Sequence, residues 1–222
     1  MFDYEKFSTL TRTDPFSGEA LGQRVSELRE KLSEESPHEL AARAGVDIVK
    51  TADGGSLLKL NFFGDAVSID VRTFRALAKD HSELPLIVQA VLLYFFTTAN
   101  GNPIHGQWVS FSELPDGRIY NQAFQKYSGD RLARECESDV DKFRNFCLKA
   151  GGIPVHMADA AFLFPVLPRF PLLLAFWQGD DDFASSCKVL FDSGSRNYLP
   201  IDGCAIIGSM LVSTVIRKGK GA

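Results

Sequence analysis

The sequence lacks the short motifs that mark the commonest enzyme and nucleotide-binding classes. Its 222 residues contain no GxGxxG or GxxxxGK[ST] phosphate-binding loop, no GxSxG nucleophile motif and no HExxH metal motif. Cysteine is scarce as well, and the four cysteines form no CxxC or CxxH pair. We therefore expect neither a zinc finger, nor an iron–sulfur cluster held by a motif of this chain, nor a glycine-rich phosphate cradle of the usual form.

An excess of basic residues and long hydrophobic runs are also missing. The chain has 24 Lys and Arg against 28 Asp and Glu, a net charge of −4, so we predict no nucleic-acid partner. The apolar stretches Leu86–Ala99 and Ala160–Trp177 are too short or too rich in proline to cross a membrane, which takes about 20 apolar residues. Asp3 and Glu5 stand where a signal peptide has a basic region. We therefore expect a cytoplasmic protein with no membrane span.

What remains is the composition of a globular protein. Hydrophobic residues make up 45% and charged residues 23%, which excludes extensive disorder. The 18 phenylalanines predict a large aromatic core or an apolar pocket. We divide the chain into a helical amino-terminal segment packed on the core (1–45), a single α+β domain (46–216) and a flexible basic tail (217–222).

Hydrophobic periodicity predicts three helices in the first half of the chain. An amphipathic helix is indicated by apolar residues at spacings of 4, 3 and 4: Leu21, Val25, Leu28 and Leu32. A second, short helix begins at Ser36-Pro37, a capping residue followed by a first-turn proline, and ends at Gly45. Leu86–Ala99 is apolar almost all round and is predicted as a buried central helix.

Alternating apolar residues and turn residues predict three β-hairpins. Their arms are Leu58–Phe62 with Val67–Val71, Trp108–Phe111 with Arg118–Tyr120, and Leu172–Trp177 with Cys187–Phe191. The prolines of Phe164–Pro171 recur at every third position, which predicts an extended polyproline II segment. The fold class is therefore α+β, with antiparallel hairpins packed on the buried helix and amphipathic helices at the amino terminus.

Two further segments carry less decisive patterns. A helix over Asp130–Lys149 would place Cys136 and Cys147 on one apolar face, about 16 Å apart, as small core residues. Asp202–Ile216 is compatible with a helix because of its length and with a strand because of its glycines and β-branched residues. Both alternatives stay open for it.

Aromatic and polar residues of the predicted 108–120 hairpin form the first candidate site. His105, Trp108, Arg118 and Tyr120 would offer a flat apolar platform with polar edges, which suits a planar ligand such as a corrinoid or another tetrapyrrole. Trp177 would extend the platform. The alternative is an ordinary half-buried sheet face with a hydrogen-bonded histidine.

Residues outside this hairpin are further candidates for catalysis or for ligand binding. Asp159 could orient His156 for acid–base or metal chemistry, or could cap a turn beside a surface histidine. Asp192 and the Asp180–Asp182 run could hold a divalent cation, or the run could face solvent at a hairpin tip. Arg169 could hold an anionic ligand, or could form an internal ion pair.

A set of segments resembles a known family. The segments are Gly106–Tyr120, Phe164–Pro168, Pro171–Leu174, Trp177–Asp180, Val189–Asp192 and Tyr198–Pro200. Together they resemble an uncharacterised domain-of-unknown-function family that is widespread in anaerobic bacteria and archaea, over roughly residues 45 to 210. The resemblance implies an anaerobic setting, near corrinoid or iron–sulfur enzymes, and carries no activity with it.

These observations lead to one expected function and two alternatives. We expect an accessory protein of anaerobic metabolism that binds a small molecule or cofactor. The pocket would be lined by Trp108, Tyr120 and Trp177, with His105, Arg118 and Arg169 as polar anchors. One alternative is a metal- or His/Asp-dependent enzyme, and the sequence does not decide whether the protein is a catalyst. The other is an interaction module that docks on a metabolic enzyme through an apolar surface around Phe164–Phe170.

Overall fold

The computed structural model describes residues 18–180 and 182–221, and it confirms an α+β fold with two antiparallel sheets. Two compact units can be distinguished. Unit 1 consists of the residues up to Pro103 with Leu167–Arg169 and Arg196–Gly203, and unit 2 of Ile104–Val166, Phe170–Ser195 and the residues from Cys204 onward. The predicted division at residues 45 and 216 stays a prediction, and its first 17 residues lie outside the described part of the chain.

Unit 1 combines three helices with a four-stranded sheet. Its elements are α1 (Gly18–Ser33), α2 (Pro37–Ala44), β1 (Asp47–Lys50), β2 (Ser56–Phe62), β3 (Asp65–Asp70), β4 (Ala76–Leu77) and α3 (Leu86–Thr98). The three helices predicted for this region are confirmed. Helix α3 has every residue from Ile87 to Phe96 buried, and α1 packs along it through the predicted stripe of Leu21, Val25, Leu28 and Leu32.

The sheet of unit 1 has one apolar and one polar face. Its strands run in the order β1-β2-β3-β4, and Leu58 pairs with Ile69 across the predicted β2–β3 hairpin. Side chains of successive strand residues point to opposite faces. Leu58, Leu60, Phe62, Val67 and Ile69 are buried, and the residues between them, such as Lys59 and Asn61, are exposed.

Unit 2 is built around a five-stranded sheet with order β5-β9-β8-β7-β6. Its elements are β5 (Trp108–Ser110), α4 (Gly117–Tyr127), α5 (Gly129–Glu135), α6 (Val140–Lys149), β6 (Ile153–Val155), β7 (Ala160–Leu167), β8 (Phe170–Trp177), β9 (Ser186–Asp192) and α7 (Ile201–Gly219). The predicted hairpin of β8 and β9 is confirmed, with Leu174 opposite Val189. Residue 167 and the first three residues of α7 are counted with unit 1.

The predicted hairpin of residues 108–120 is wrong in its second arm. The predicted turn at Pro115-Asp116-Gly117 is present, with the Gly117 N–H bonded to the Leu114 carbonyl at 2.9 Å and Asp116 at φ of 65°, but helix α4 follows it in place of a returning strand. Arg118 and Tyr120 therefore lie in the first helical turns. A capping box ends strand β5, because Ser110 donates its hydroxyl to the Glu113 carboxylate, which also accepts the Ser110 backbone N–H at 2.7 Å.

The predicted polyproline II segment is also wrong, because Phe164–Pro171 lies in strands β7 and β8 and the turn that joins them. Strand β6 pairs with β7 only between Ala161 and Leu163. Pro165 lies beyond these residues, so its lack of an N–H group does not interrupt the hydrogen bonds between β6 and β7. The turn contains Arg169 in a left-handed conformation, with φ of 55°.

The single helix predicted over Asp130–Lys149 is divided into α5 and α6. Glu137 and Ser138 have φ of 55° and 63°, which helices exclude, and Asp139 caps α6 by accepting the N–H groups of Asp141 and Lys142. The 16 Å separation of Cys136 and Cys147 along one straight helix is therefore wrong. The alternative between helix and strand at 202–216 is resolved as helix α7, which includes part of the predicted flexible tail.

Among the described residues, no helix combines the length and the apolar character that crossing a membrane requires. All four cysteines are buried, which agrees with the core positions predicted for Cys136 and Cys147. Burial raises the pKa of Cys136 to about 12, and it raises the pKa values of Cys147 and Cys187 well above the usual value of 9.0. At pH 8 the reactive thiolate of Cys136 is then about a thousandfold rarer than in an exposed cysteine.

We therefore expect the thiols to resist alkylation in the folded protein. Treatment with iodoacetamide at pH 8, followed by mass spectrometry, should leave the native protein without modification at Cys136, Cys147 and Cys187 over the time in which guanidinium-unfolded protein reacts completely. A native thiol that reacts at the unfolded rate would contradict the burial of that residue.

Candidate functional site

The two tryptophans predicted to line one pocket lie far apart on the sheet of unit 2. Trp108 is half-buried and packs on a small apolar cluster of unit 2 that contains Leu173 and Leu190. It pairs with Asp192 at one end of β9, while Trp177 pairs with Ser186 at the other. Six residues of a strand span about 20 Å, at about 3.4 Å per residue. The two tryptophans therefore cannot form the walls of one small pocket.

The other predicted pocket residues have separate surroundings. Arg118 and Tyr120 are exposed on α4, and Tyr120 keeps 54% of its surface accessible. Trp177 stacks under the Lys188 ammonium, which lies 5.7 Å from the ring centroid. The Arg169 guanidinium belongs to unit 1 and donates a hydrogen bond to the carbonyl of Gly101 at 3.1 Å. No shared ligand surface follows from these contacts.

Asp192 is buried and holds the segment that precedes β5. Its Oδ1 accepts the backbone N–H groups of His105 at 3.0 Å and Gly194 at 2.8 Å, and its Oδ2 accepts that of Gly106 at 2.6 Å. His105 Nδ1 lies 2.9 Å from Ser193 Oγ. Both carboxylate oxygens are thus already engaged by the chain, which favours a structural role for Asp192 over the predicted role as a metal ligand.

Asp180 shapes the tip of the β8–β9 hairpin. Its Oδ1 accepts the backbone N–H groups of Asp182 at 3.0 Å and Phe183 at 2.8 Å, an Asx-type turn. Asp181, the middle residue of the predicted acidic run, lies outside the described residues. Within the described residues, no group of three or more His, Cys, Asp or Glu side chains is arranged to hold a metal ion.

The predicted pair of His156 and Asp159 is exposed, and its two members do different things. The Asp159 carboxylate accepts the backbone N–H of Gln178 at 2.8 Å, and its carbonyl oxygen accepts a hydrogen bond from Arg144 at 2.8 Å. Among the described residues no hydrogen bond joins Asp159 to His156. The carboxylate therefore fastens a loop to the end of β8, which is close to the turn-capping alternative.

The apolar docking surface predicted around Phe164–Phe170 is contradicted by burial. Phe164, Val166 and Leu167 are at most 5% exposed, and Phe170 is fully buried. These side chains belong to the core, so they cannot present a face to a partner without unfolding the β7–β8 hairpin.

A different surface has the shape of a binding site. On the polar face of the sheet in unit 1, β1, β2, β3 and the loop Ala78–His81 enclose a cleft of about 360 Å³. Ligand pockets typically have volumes of about 300–1,000 Å³. Its polar lining consists of Asp47, Lys59, Asn61, Ser68, Lys79 and His81, and its apolar lining of Leu57, Leu60, Ala66, Val67 and Ala78.

Strand register explains why a cleft forms on an otherwise ordinary sheet face. Strand β3 presents the small residues Ala66 and Ser68, which lie opposite Asn61 and Lys59 of β2. Leu77, the last residue of β4, pairs with Ser68 of β3. The loop that follows β4 therefore begins beside β3, on the side away from β2. Small side chains between two rows of longer ones leave a groove along β3.

The loop that forms one wall of the cleft is held by its own hydrogen bonds. The backbone N–H of Ala78 bonds to Ser82 at 2.9 Å, and that of His81 bonds back to Ala78 at 3.0 Å. The Asp80 carboxylate accepts the hydroxyl and the N–H of Ser82, and these bonds lower its pKa below the usual value. His81 has φ of 66°. These bonds shape the loop without involving the side chains of Lys79 and His81, which lie at the rim of the cleft.

The cleft carries two lysines that the described part of the protein leaves without an ion pair. Lys59 lies across from Asp47 on β1, but no carboxylate comes within 4.0 Å of the ammonium of Lys59 or of Lys79 in the described residues. The lysine and acidic side chains of the lining carry two positive charges and one negative charge. The cleft is therefore an open, positively charged recess.

Sequence reasoning missed the cleft because none of its residues is conspicuous. Lys59, Asn61 and Ser68 occupy the polar positions of an alternating hairpin, as surface residues usually do. The one signal was the pair of small outward residues Ala66 and Ser68 opposite longer ones, with a histidine following β4.

The sequence pattern of one protein family covers both the cleft and the Asp192 contacts. The model of the family described as "Domain of unknown function (DUF3786)" matches residues 36–214. The chain belongs to this family. No curated protein and no solved structure matches the chain.

Membership in the DUF3786 family confirms the resemblance based on the segments from Gly106 to Pro200. The occurrence of the family in anaerobes stays a prediction. In the structure several of these DUF3786 segments have structural tasks, since they contain the capping box after β5, the Asp180 turn and the buried Asp192. The cleft of unit 1 lies inside the matched residues as well.

Proposed function

We propose that the protein binds a small molecule in the cleft of the unit 1 sheet, as a cytoplasmic accessory protein of anaerobic metabolism. The observation that supports this proposal is a recess of about 360 Å³ whose rim carries two lysines with no ion pair among the described residues. A charged recess with a rigid wall can select a ligand without a large loss of conformational freedom. This site replaces the aromatic pocket, whose two tryptophans lie at opposite ends of β9.

Enzymatic activity receives less support from the same geometry. Within the cleft, His81 and Asp47 have side chains that commonly act as general acids or bases, but no hydrogen bond joins the two among the described residues, and the lining contains no cysteine nucleophile. The cleft contains no Phe, Tyr or Trp, and its one ring, the small imidazole of His81, is a poor stacking surface for a corrinoid or another large planar cofactor. We therefore propose reversible binding of a compact, non-aromatic ligand.

Filling the cleft should abolish binding. Ala66 is exposed at the floor of the groove, so Ala66→Leu adds volume there without disturbing the buried face. Chemical-shift mapping by NMR with a library of small metabolites should give shifts at cleft residues of the wild type, and the same compounds should give none with Ala66→Leu. Thermal unfolding should stay within about 0.5 kcal/mol of the wild type.

Ala42→Leu is the matched control, since Ala42 is exposed on α2 outside the cleft lining. It should bind every compound as the wild type does. If library compounds bind elsewhere on the protein, or bind Ala66→Leu unchanged, the cleft is not the functional site.

A further inference from the structure

The cleft lining also indicates the chemical class of its ligand. We infer that it accepts a small polyhydroxylated molecule that carries one oxyanion group, either a phosphate monoester or a carboxylate. This inference rests on the proposed binding function of the cleft, and it assigns the lysines and the other polar side chains of the lining to different groups of the ligand.

The oxyanion group is assigned to Lys59 and Lys79. Lys59 lies on β2 opposite Ser68, and Lys79 lies in the loop that follows β4, which pairs with the other edge of β3. The two lysines thus line the cleft from opposite sides of the small residues of β3. An anion above Ala66 and Ser68 is within the reach of both flexible side chains and of the His81 ring.

The anion preference follows from the charge balance. Asp47 lies across from Lys59 on the neighbouring strand. Every residue of the cleft lining belongs to the described part of the chain, and Asp47 is the only acidic residue among them. Among the lining side chains one carboxylate faces two lysines, while the Asp80 carboxylate of the loop lies outside the lining and is bonded to Ser82. A carboxylate ligand balances the excess positive charge of the lining and a phosphate monoester, with nearly two negative charges at pH 7, more than balances it, whereas a cationic ligand would add to it.

The ligand hydroxyl groups are assigned to Asp47, Asn61 and Ser68, which lie beside the lysines in the same cross-strand rows. A carboxylate accepts hydrogen bonds, and amide and hydroxyl groups both donate and accept, so the three side chains together suit several ligand hydroxyl groups. The lining contains no Phe, Tyr or Trp, and its one ring is the small imidazole of His81, which disfavours a nucleotide base that needs a broad stacking surface. A sugar phosphate or a sugar acid combines the required groups in a small volume.

Four commercially available probes test this inference. Glucose 6-phosphate and gluconate carry hydroxyl groups with an oxyanion, glucose lacks the oxyanion, and inorganic phosphate lacks the hydroxyl groups. We expect glucose 6-phosphate, gluconate or both to shift cleft resonances and to bind at least tenfold more tightly than glucose and phosphate. Affinity should fall as salt is raised, since the lysines are exposed. The stronger of the two anionic sugars identifies the oxyanion.

Lysine variants locate the anion. Lys59→Ala and Lys79→Ala should each weaken binding of the preferred probe about tenfold, as expected for loss of a hydrogen bond to a charged group. Lys50→Ala is the control, because Lys50 is exposed on β1 outside the cleft and changes the net charge equally. Its affinity should stay within about twofold of the wild type.

The outcomes separate this inference from the proposed function. If glucose binds the cleft as tightly as gluconate and glucose 6-phosphate, or if amines from the library bind in preference, the ligand class is wrong while the cleft remains a binding site. Equal weakening in Lys50→Ala and in both cleft variants also overturns the inference, because binding then follows net charge alone. If no library compound and none of the four probes shifts a cleft resonance, the proposed function itself fails.

Discussion

Asp192→Ala is expected to lower the free energy of unfolding by about 3 kcal/mol, because it removes the acceptor of three backbone N–H groups at once. The Gly194 N–H is buried and would be left without this partner, whereas those of His105 and Gly106 can be hydrated. Urea denaturation followed by fluorescence and circular dichroism measures the loss.

Two variants show whether the carboxylate is the cause. Asp192→Asn keeps the shape and one acceptor oxygen but turns an amide NH2 toward a donor, so we expect an intermediate loss of about 1–2 kcal/mol. Asp182→Ala changes an exposed acid at the hairpin tip and should be neutral within about 0.5 kcal/mol. A midpoint for Asp192→Ala equal to that of Asp182→Ala would show that these three bonds contribute nothing to stability.

The second large effect is expected from a single methyl group at the start of α5. A Cβ on Gly129 would lie 2.0 Å from the carbonyl oxygen of Cys187 and 2.4 Å from Gln125 Nε2. The Cys187 oxygen belongs to strand β9 and accepts a hydrogen bond from the Gln125 amide at 2.8 Å, so neither neighbour can move without breaking a contact. Gly129→Ala should therefore destabilise the protein by about 3 kcal/mol.

The same substitution should have the opposite sign in α1. A Cβ on Gly22 meets only the Leu86 side chain, at an ordinary distance of 4.0 Å. Alanine is favoured over glycine in a helix interior by about 0.5–1 kcal/mol, so Gly22→Ala should stabilise the protein by that amount. Urea denaturation of the two variants gives both signs in one experiment. A stabilised Gly129→Ala variant would show that α5 does not approach β9 as closely as described.

The parts of the fold that the sequence predicts are those whose patterns are local. The stripe from Leu21 to Leu32, the apolar run of α3 and the β2–β3 and β8–β9 hairpins each carry their own periodicity. The errors arise where one residue overrides a pattern. Asp139 can cap a helix and so divides 130–149, and the turn at Pro115-Asp116-Gly117 leads into helix α4 where a returning strand was predicted.

The candidate site was harder to predict because conspicuous residues have structural tasks here. His105 and Asp192 are 87 residues apart in sequence, and only the fold shows that the carboxylate binds the backbone of the histidine. Trp108 and Trp177 lie on the same face of the unit 2 sheet, but they pair with opposite ends of β9. The cleft depends on the register of β2 and β3 and on the course of the loop at Ala78–His81. A search of the sequence for unusual residues reveals neither of these features.

Each of the two units is assembled from three separate stretches of the chain, which limits how the gene can be divided to express one unit alone. The chain passes from one unit to the other at residues 103/104, 166/167, 169/170, 195/196 and 203/204. An amino-terminal half that ends at Pro103 would lose Tyr198, whose ring stacks on Phe95 with centroids 6.0 Å apart and whose hydroxyl donates to the carbonyl of Asn102. No single cleavage point separates two complete units, so the cleft is best studied in the intact polypeptide.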